Sequence, residues 1–291
     1  MHINLIFTFV ELIIYPFYME SGIFNSFNEN SKLFEFIEKE QPIWWNNIIS
    51  DQELYVELRK DNYINVYYYG GCVAKIWFDK DIKAETHYKY LKQTDSNKIY
   101  VDCLIELESK IEIDKIKKRI KEVYLKEENK LKEKEIQGRL IFSSRNKYID
   151  SEFAYNKDNK LRFDLVSLEN GVITYVELKL IGDKRLTHKK DNQLEIITQM
   201  NKYSEFIEDY KDEIIPYYQK LLSVKKRLSI INEIPQITSV NPEPLLLIYN
   251  SYTKLSKGKQ DRINNIKSSF TGVTFKCQFF KEIRKNGNNN S

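Results

Sequence analysis

Residues 161–180, LRFDLVSLENGVITYVELKL, leave the chain little choice of local structure. Two runs rich in β-branched and large apolar residues are joined by Glu-Asn-Gly, a combination that predicts a tight β-hairpin with strands over 161–168 and 172–180. Side chains alternate along a strand, so Tyr175, Glu177 and Lys179 share one face, and Val176, Leu178 and Leu180 share the other. Arg162, Asp164 and Val166 are expected together on the partner strand, opposite Phe163 and Leu165. A strand this apolar belongs inside the protein. An interior carboxylate and ammonium cost several kcal/mol each unless they are paired or bind an ion. Either Glu177 and Lys179 form a plain ion pair at a sheet edge, or they belong to a site.

The rest of the chain builds a domain large enough to hold such a site. It has 291 residues, 42% hydrophobic and 30% charged, with only 9 Gly and 6 Pro, so long flexible linkers are not expected. Residues 251–291 hold nine basic residues against two acidic ones, which leaves −3 on the first 250 of a chain whose net charge is +4. A basic end on a near-neutral body suits a polyanion, although solvated tails share that signature. Cys72, Cys103 and Cys277 form no CxxC pair, which argues against a zinc ribbon or an iron–sulfur cluster and fits a reducing compartment. Residues 3–18 are apolar, but they contain Glu11 and lack a signal peptide's basic start and cleavage site. They are also shorter than the ~20 residues of a membrane span. The expected start of the folded chain is Met19, with 1–18 of doubtful status and a short anchor as the alternative.

Periodicity predicts a helix over 31–50, then strands over 53–59, 62–69, 72–78, 84–90 and 99–107, with Gly70–Gly71 as a hairpin turn. Tyr67, Tyr68 and Tyr69 read as strand packing, with base stacking as the alternative. A charged helix covers 111–135 and ends at Gly138. After the hairpin come a basic loop at 182–190, helices over 193–210 and 211–230, a buried strand at 244–250 and a last strand at 273–280. The expected organisation is a β-rich region over 19–110, a connecting charged helix over 111–138, and a second domain over 139–291. The fold class is α+β or α/β.

Asp164 on one hairpin strand, Glu177-Leu178-Lys179 on the next, and Gln199 and Tyr203 one helical turn apart downstream resemble the PD-(D/E)XK nuclease superfamily, in its RecB-like QxxxY variant. Phe163 stands where that family often has proline. The likeness spans roughly residues 140–250. It implies a restriction-endonuclease-like core, a mixed sheet flanked by helices, and Mg²⁺ (Mn²⁺ as substitute) as cofactor. It also implies Asp164 and Glu177 as metal ligands, with Glu152 as a third acid ahead of the hairpin, and Lys179 as the catalytic cation. Gln199 and Tyr203 are the neutral groups that position water or substrate. The residue types suit the chemistry, because Mg²⁺ is held by one or two carboxylates and its own waters. A lysine stabilises the charge that develops on the phosphate.

The expected activity is metal-dependent hydrolysis of phosphodiester bonds, in DNA ahead of RNA. Arg162, Lys184, Arg185, Lys189, Lys190 and Lys202 are the candidates for nucleic-acid contacts. Plain readings stand beside these: Glu152 as a surface carboxylate, Tyr203 as core, Arg162 as an ion-pair partner, and the 184–190 loop as solvated. The alternative function is a catalytically inactive nucleic-acid-binding or sensing protein on the same fold. A homodimer, a cytoplasmic location and no stable membrane association complete the expectations.

Overall fold

The computed structural model describes residues 24, 26–91, 98–125, 132–155, 161–190 and 192–281. The apolar stretch over 1–18 lies outside them. The protein is mixed α and β, with one antiparallel and one mixed sheet flanked by helices.

The first sheet is a meander of β1 (Tyr55–Leu58), β2 (Ile64–Tyr68), β3 (Gly71–Asp79), β4 (Asp81–His87) and β5 (Tyr100–Asp102), paired in that order and antiparallel throughout. It follows α1 (Lys32–Glu40) and α2 (Ile43–Ser50). The expected single helix over 31–50 breaks because Gln41 is left-handed, at φ 43°, and Pro42 follows it. The β2–β3 turn is Tyr69-Gly70, with φ of 46° and 82°, the two positive angles of the turn that matches strand twist. The expected strand over 99–107 is cut to three residues, because α3 (Leu104–Leu107) takes over once Leu107 can be buried.

The charged helix over 111–135 is not continuous. α4 (Lys110–Arg119) passes into a π-helical stretch, Ile120–Leu125, and a separate helix, α5, spans Glu133–Ser143. Gly138 does not end it. It sits in the middle of α5, where a Cβ would come within 2.9 Å of the Tyr69 and Gly70 backbone. The glycine lets the helix lie against the β2–β3 turn.

The second sheet contains β6 (Tyr148–Tyr155), β7 (Leu161–Glu169), β8 (Val172–Leu180), β12 (Leu245–Tyr249) and β13 (Lys276–Phe280). The short pairs β9 (Lys189–Lys190) and β10 (Gln193–Leu194) form a separate ribbon, and β11 (Ser239–Val240) adds to the start of β8. The strand order is β13-β12-β8-β7-β6. The hairpin β7–β8 is antiparallel, whereas β12 runs parallel to β8 and to β13. α6 (Glu195–Arg227) is one helix of 33 residues where two were expected, and it runs through Pro216. Burial of Ile214, Tyr217, Tyr218, Leu221 and Leu222 on both sides of the proline outweighs the hydrogen bond it removes. α7 (Lys257–Ser269), between β12 and β13, has an apolar face of only Ile263 and Ile266, which left no helical signal in the sequence.

α6 covers one face of this sheet, where Phe163 and Tyr175 meet Tyr203 and Phe206. α5 covers the other, packing Ile136, Leu140 and Ile141 on Leu165, Val176, Leu178 and Leu247. Phe163 and Val166 therefore face α6 while Leu165 faces α5, so the alternation expected along 162–166 slips at Asp164. Residues on both sides of the expected domain boundary share one buried cluster: the Phe24 and Phe27 rings pack against Tyr217, tilted and edge-on respectively, and Trp45 donates to the Leu228 carbonyl at 3.0 Å. A buried set of charges joins the two sheets. Glu57 bonds Lys225 at 2.9 Å and accepts from Ser151 at 2.9 Å, while Arg59 reaches the Ser151 carbonyl and pairs with Asp150 at 3.5 Å. Tyr67, Tyr68 and Tyr69 are packing residues, stacked on Tyr55, fully buried, and set against Phe142 respectively.

Candidate active site

The hairpin ladder runs from Glu169↔Val172 to Leu165↔Val176 and stops there. Beyond it the strands open, and side chains occupy the backbone groups that the ladder would have used. The Asp164 carboxylate accepts from the Leu178 N–H at 2.8 Å, Gln137 of α5 donates to the Asp164 carbonyl at 2.6 Å, and Tyr203 of α6 donates to the Arg162 carbonyl at 2.6 Å. The slip in side-chain phase at Asp164 and this opening are one feature. A short stretch of buried backbone exchanges ladder bonds for side-chain bonds, which keeps it satisfied and makes room for a polar cluster.

The cluster is centred on Lys179, of which 1% is exposed. Its ammonium contacts a Glu177 carboxylate oxygen, lies 3.5 Å from Asp164 and 3.3 Å from Glu133, and donates to the Leu178 carbonyl at 2.5 Å. Because Asp164 and Glu177 both reach one nitrogen, their oxygens lie within about 6 Å of each other. Glu177 is fixed from α6: Gln199 donates to one of its oxygens at 2.7 Å and Tyr203 lies 2.6 Å from the other, with Gln199 and Tyr203 bonded at 2.9 Å. The pair placed one turn apart by the sequence therefore works as a clamp on Glu177, and Tyr203 is both core and polar.

Electrostatics follow from burial. Desolvation first, and the neighbouring Glu177 second, push the Asp164 carboxyl up to about 7. Desolvation also raises Glu133, against the pull of Lys179. Burial alone would lower Lys179, but Glu177, Asp164 and Glu133 outweigh it and hold the ammonium charged. Tyr203 is pushed far up by burial and by Glu177, so it stays a neutral donor.

Glu133 is the member of the cluster that the sequence did not disclose. It is the first residue of α5, 44 positions from Glu177, in a segment with several other glutamates and no distinguishing spacing. Glu152, the acid expected ahead of the hairpin, does not reach Lys179 but lies opposite Asp164 on the neighbouring strand, and its charge helps to raise the Asp164 carboxyl. Its carboxylate sits 3.4 Å from Lys134 and 3.3 Å from Arg162, and its backbone is left-handed at φ 54° opposite the Asp164 slip. Among the described residues no group of three or more His, Cys, Asp or Glu side chains is arranged to hold a metal ion. Asp164, Glu177 and the Leu178 carbonyl are nonetheless hard oxygen donors gathered at one point. A hard cation that keeps most of its waters asks for no more than one or two carboxylates.

Beside the cluster opens a cleft of about 780 Å³. Arg162, Arg185, Lys190 and Lys202 line it, together with Gln199 and Tyr203, against a single acid, Glu195. Lys184 and Lys189 are exposed but do not line it. Of the cations lining the cleft, Arg185 comes nearest the carboxylates, 4.0 Å from Glu177 and 3.4 Å from the Gln199 amide oxygen, and Asp183 holds it at 2.7 Å. The basic C-terminal region contributes differently: Arg262 of α7 donates to the Ile181 carbonyl at 2.9 Å, fastening the end of β8. Cys72, Cys103 and Cys277 are free thiols. No helix among the described residues is long and apolar enough to cross a membrane.

Compared with protein-family models, with curated proteins and with solved structures, the chain matches none.

Proposed function

We propose that the protein is a metal-dependent nuclease with a restriction-endonuclease-like core, hydrolysing phosphodiester bonds in DNA. The observation that carries this reading is the convergence of Asp164, Glu177 and Glu133 on a buried Lys179, joined through Arg185, Gln199 and Tyr203 to a cleft lined by four cationic side chains. An ion pair serving stability alone needs neither a third carboxylate nor an adjoining basic cleft, and buried ion pairs are weak stabilisers.

Asp164 and Glu177, with the Leu178 carbonyl, are the groups that would hold Mg²⁺ or Mn²⁺. Bound there, the ion supplies an activated water at neutral pH and positive charge for the phosphoryl oxygens. The protein's own part is positioning. Gln199 and Tyr203 fix the Glu177 carboxylate, and the Leu178 N–H fixes Asp164. Lys179 offers its charge to a non-bridging oxygen as negative charge develops there. Arg185 stands ready to neutralise the neighbouring phosphate. Arg162, Lys190 and Lys202 hold the backbone in register without reading bases.

The test is cleavage of labelled single- and double-stranded DNA and RNA with Mg²⁺, Mn²⁺ or chelator, beside a binding assay at fixed salt. Wild type should cut DNA only with metal. Glu177→Gln should bind without cutting, because affinity resides in the cationic cleft. Wild type that binds but cuts none of these substrates favours the inactive binding protein. Equal cutting by wild type and Glu177→Gln places the active site elsewhere.

A further inference from the structure

We propose that the cleft between the N-terminus of α1 and the outer face of the first sheet is a second site, which binds a nucleotide through one phosphate and its base. The cleft measures about 480 Å³, within the roughly 300–1,000 Å³ of small-molecule sites. Ser31, Lys32, Tyr63, Lys75, Trp77 and Phe78 line it.

One end has the chemistry of a phosphate site. Ser31 occupies the N-cap position of α1 in extended conformation, yet its side chain makes no capping bond. The residue is 9% exposed, and its hydroxyl has no partner among the described residues. A buried hydroxyl left unpaired is costly, and serine at this position normally satisfies a first-turn N–H. The first-turn N–H groups of α1, the helix dipole, the Ser31 hydroxyl and the Lys32 ammonium are all suited to an anion.

The other end is aromatic. The Lys75 ammonium lies 5.0 Å from the Tyr63 ring centre and 5.4 Å from that of Trp77, and Lys32 lies 5.4 Å from that of Phe78. Lys75 also pairs loosely with Glu85, at 3.8 Å. Rings that are half-buried and interleaved with ammonium groups are the combination on which bases stack beside their phosphates. A cationic ligand is excluded by the two lysines, and a bare inorganic anion leaves the rings without a role. The exposed carboxylate of Asp61 also lines the cleft. It favours a ligand with one phosphate over a polyphosphate, and it can accept from the exocyclic amine of adenine, guanine or cytosine.

The nucleotide can be free or part of a strand. Asp61 and Tyr63 also line a second cleft, of about 270 Å³, that reaches Glu152, and the partner of Glu152, Arg162, borders the catalytic cleft.

The chain has three tryptophans, and Trp44 and Trp45 are buried, so a fluorescence change on ligand addition reports Trp77. The full chain in chelator is titrated with dAMP, deoxyadenosine, inorganic phosphate and a short deoxyadenylate oligomer. Calorimetry on the same probes covers binding that leaves Trp77 unmoved. The expected result is saturable binding of dAMP, with nucleoside and phosphate each at least tenfold weaker. Ser31→Ala and Lys75→Gln should each weaken it at least fivefold without lowering the melting temperature. An oligomer at least tenfold tighter than dAMP identifies a strand as the source, and equal affinity identifies the free nucleotide. No binding of dAMP or oligomer by either method overturns the proposal. So does nucleoside or phosphate binding as well as dAMP, or affinity unchanged in both variants. Because nothing is cleaved in chelator, failure of the nuclease reading leaves this result untouched.

Discussion

Replacing Lys179 by methionine removes a charge and little volume, and the structure sets the size of the effect. The ammonium lies 3.3 Å from Glu133 and 3.5 Å from Asp164, and also touches Glu177. At an effective dielectric of ~20, each of the two measured contacts carries about 5 kcal/mol of gross Coulomb attraction, offset by desolvation of every partner. Removing one member of such a buried set leaves uncompensated charge and costs about 3–5 kcal/mol. The loss must depend on pH. Asp164 titrates at about 7 in the folded protein, above its value of 3.8 outside it. The folded state therefore holds that proton when the unfolded chain has released it, and stability falls as pH rises from ~4 through ~7. Without Lys179 the carboxylates hold protons still more tightly, which steepens the fall. Urea unfolding of wild type and Lys179→Met at pH 5.5 and pH 8 should show a deficit at pH 8 that is much reduced at pH 5.5. Equal stability of the two proteins at pH 8, or the same deficit at both pH values, would refute the idea that the ammonium compensates these carboxylates.

Four further outcomes follow from single residues. Glu133→Gln should lower metal-dependent cleavage of labelled DNA by ~10²-fold or more while the protein stays folded, because the lost charge sits beside the phosphate-handling lysine, whereas Glu152→Gln should remain within about threefold of wild type. Gly138→Ala should lower the unfolding free energy by about 1–3 kcal/mol in denaturant titrations, because the new methyl meets rigid backbone at 2.9 Å. Burial and the nearby Glu57 raise Asp150 to about 7. Its stabilising share is complete below ~4 and lost as pH rises towards 7, so Asp150→Asn should flatten the melting temperature's dependence on pH across that window.

The hairpin and its charged pair were legible because strand alternation and the Glu-Asn-Gly turn are local signals, and the Gln199–Tyr203 spacing is a helical one. Three features were not. The change of side-chain phase at Asp164 depends on Gln137 and Tyr203 arriving from two distant helices to satisfy the opened backbone. Glu133 is one glutamate among many until α5 begins at it. The continuity of α6 across 210–211, where two helices were expected, rests on apolar residues whose partners lie in the segment ahead of α1 and on the second sheet.

The charges between the two sheets have a consequence for how the chain can change. Glu57 and Lys225 lie 168 positions apart and neutralise each other where water cannot reach, and Arg59 and Asp150 do the same beside them. Exchange of any one of the four for an uncharged residue leaves its partner's charge less compensated and lowers stability, so paired replacements in segments far apart in the gene cost less. Grafting the first sheet onto another protein's catalytic half, or the reverse, carries two orphaned ions into the new interface unless both partners travel too. The halves are thus heritable together, and a hybrid that ignores those four positions should unfold at lower denaturant than either parent.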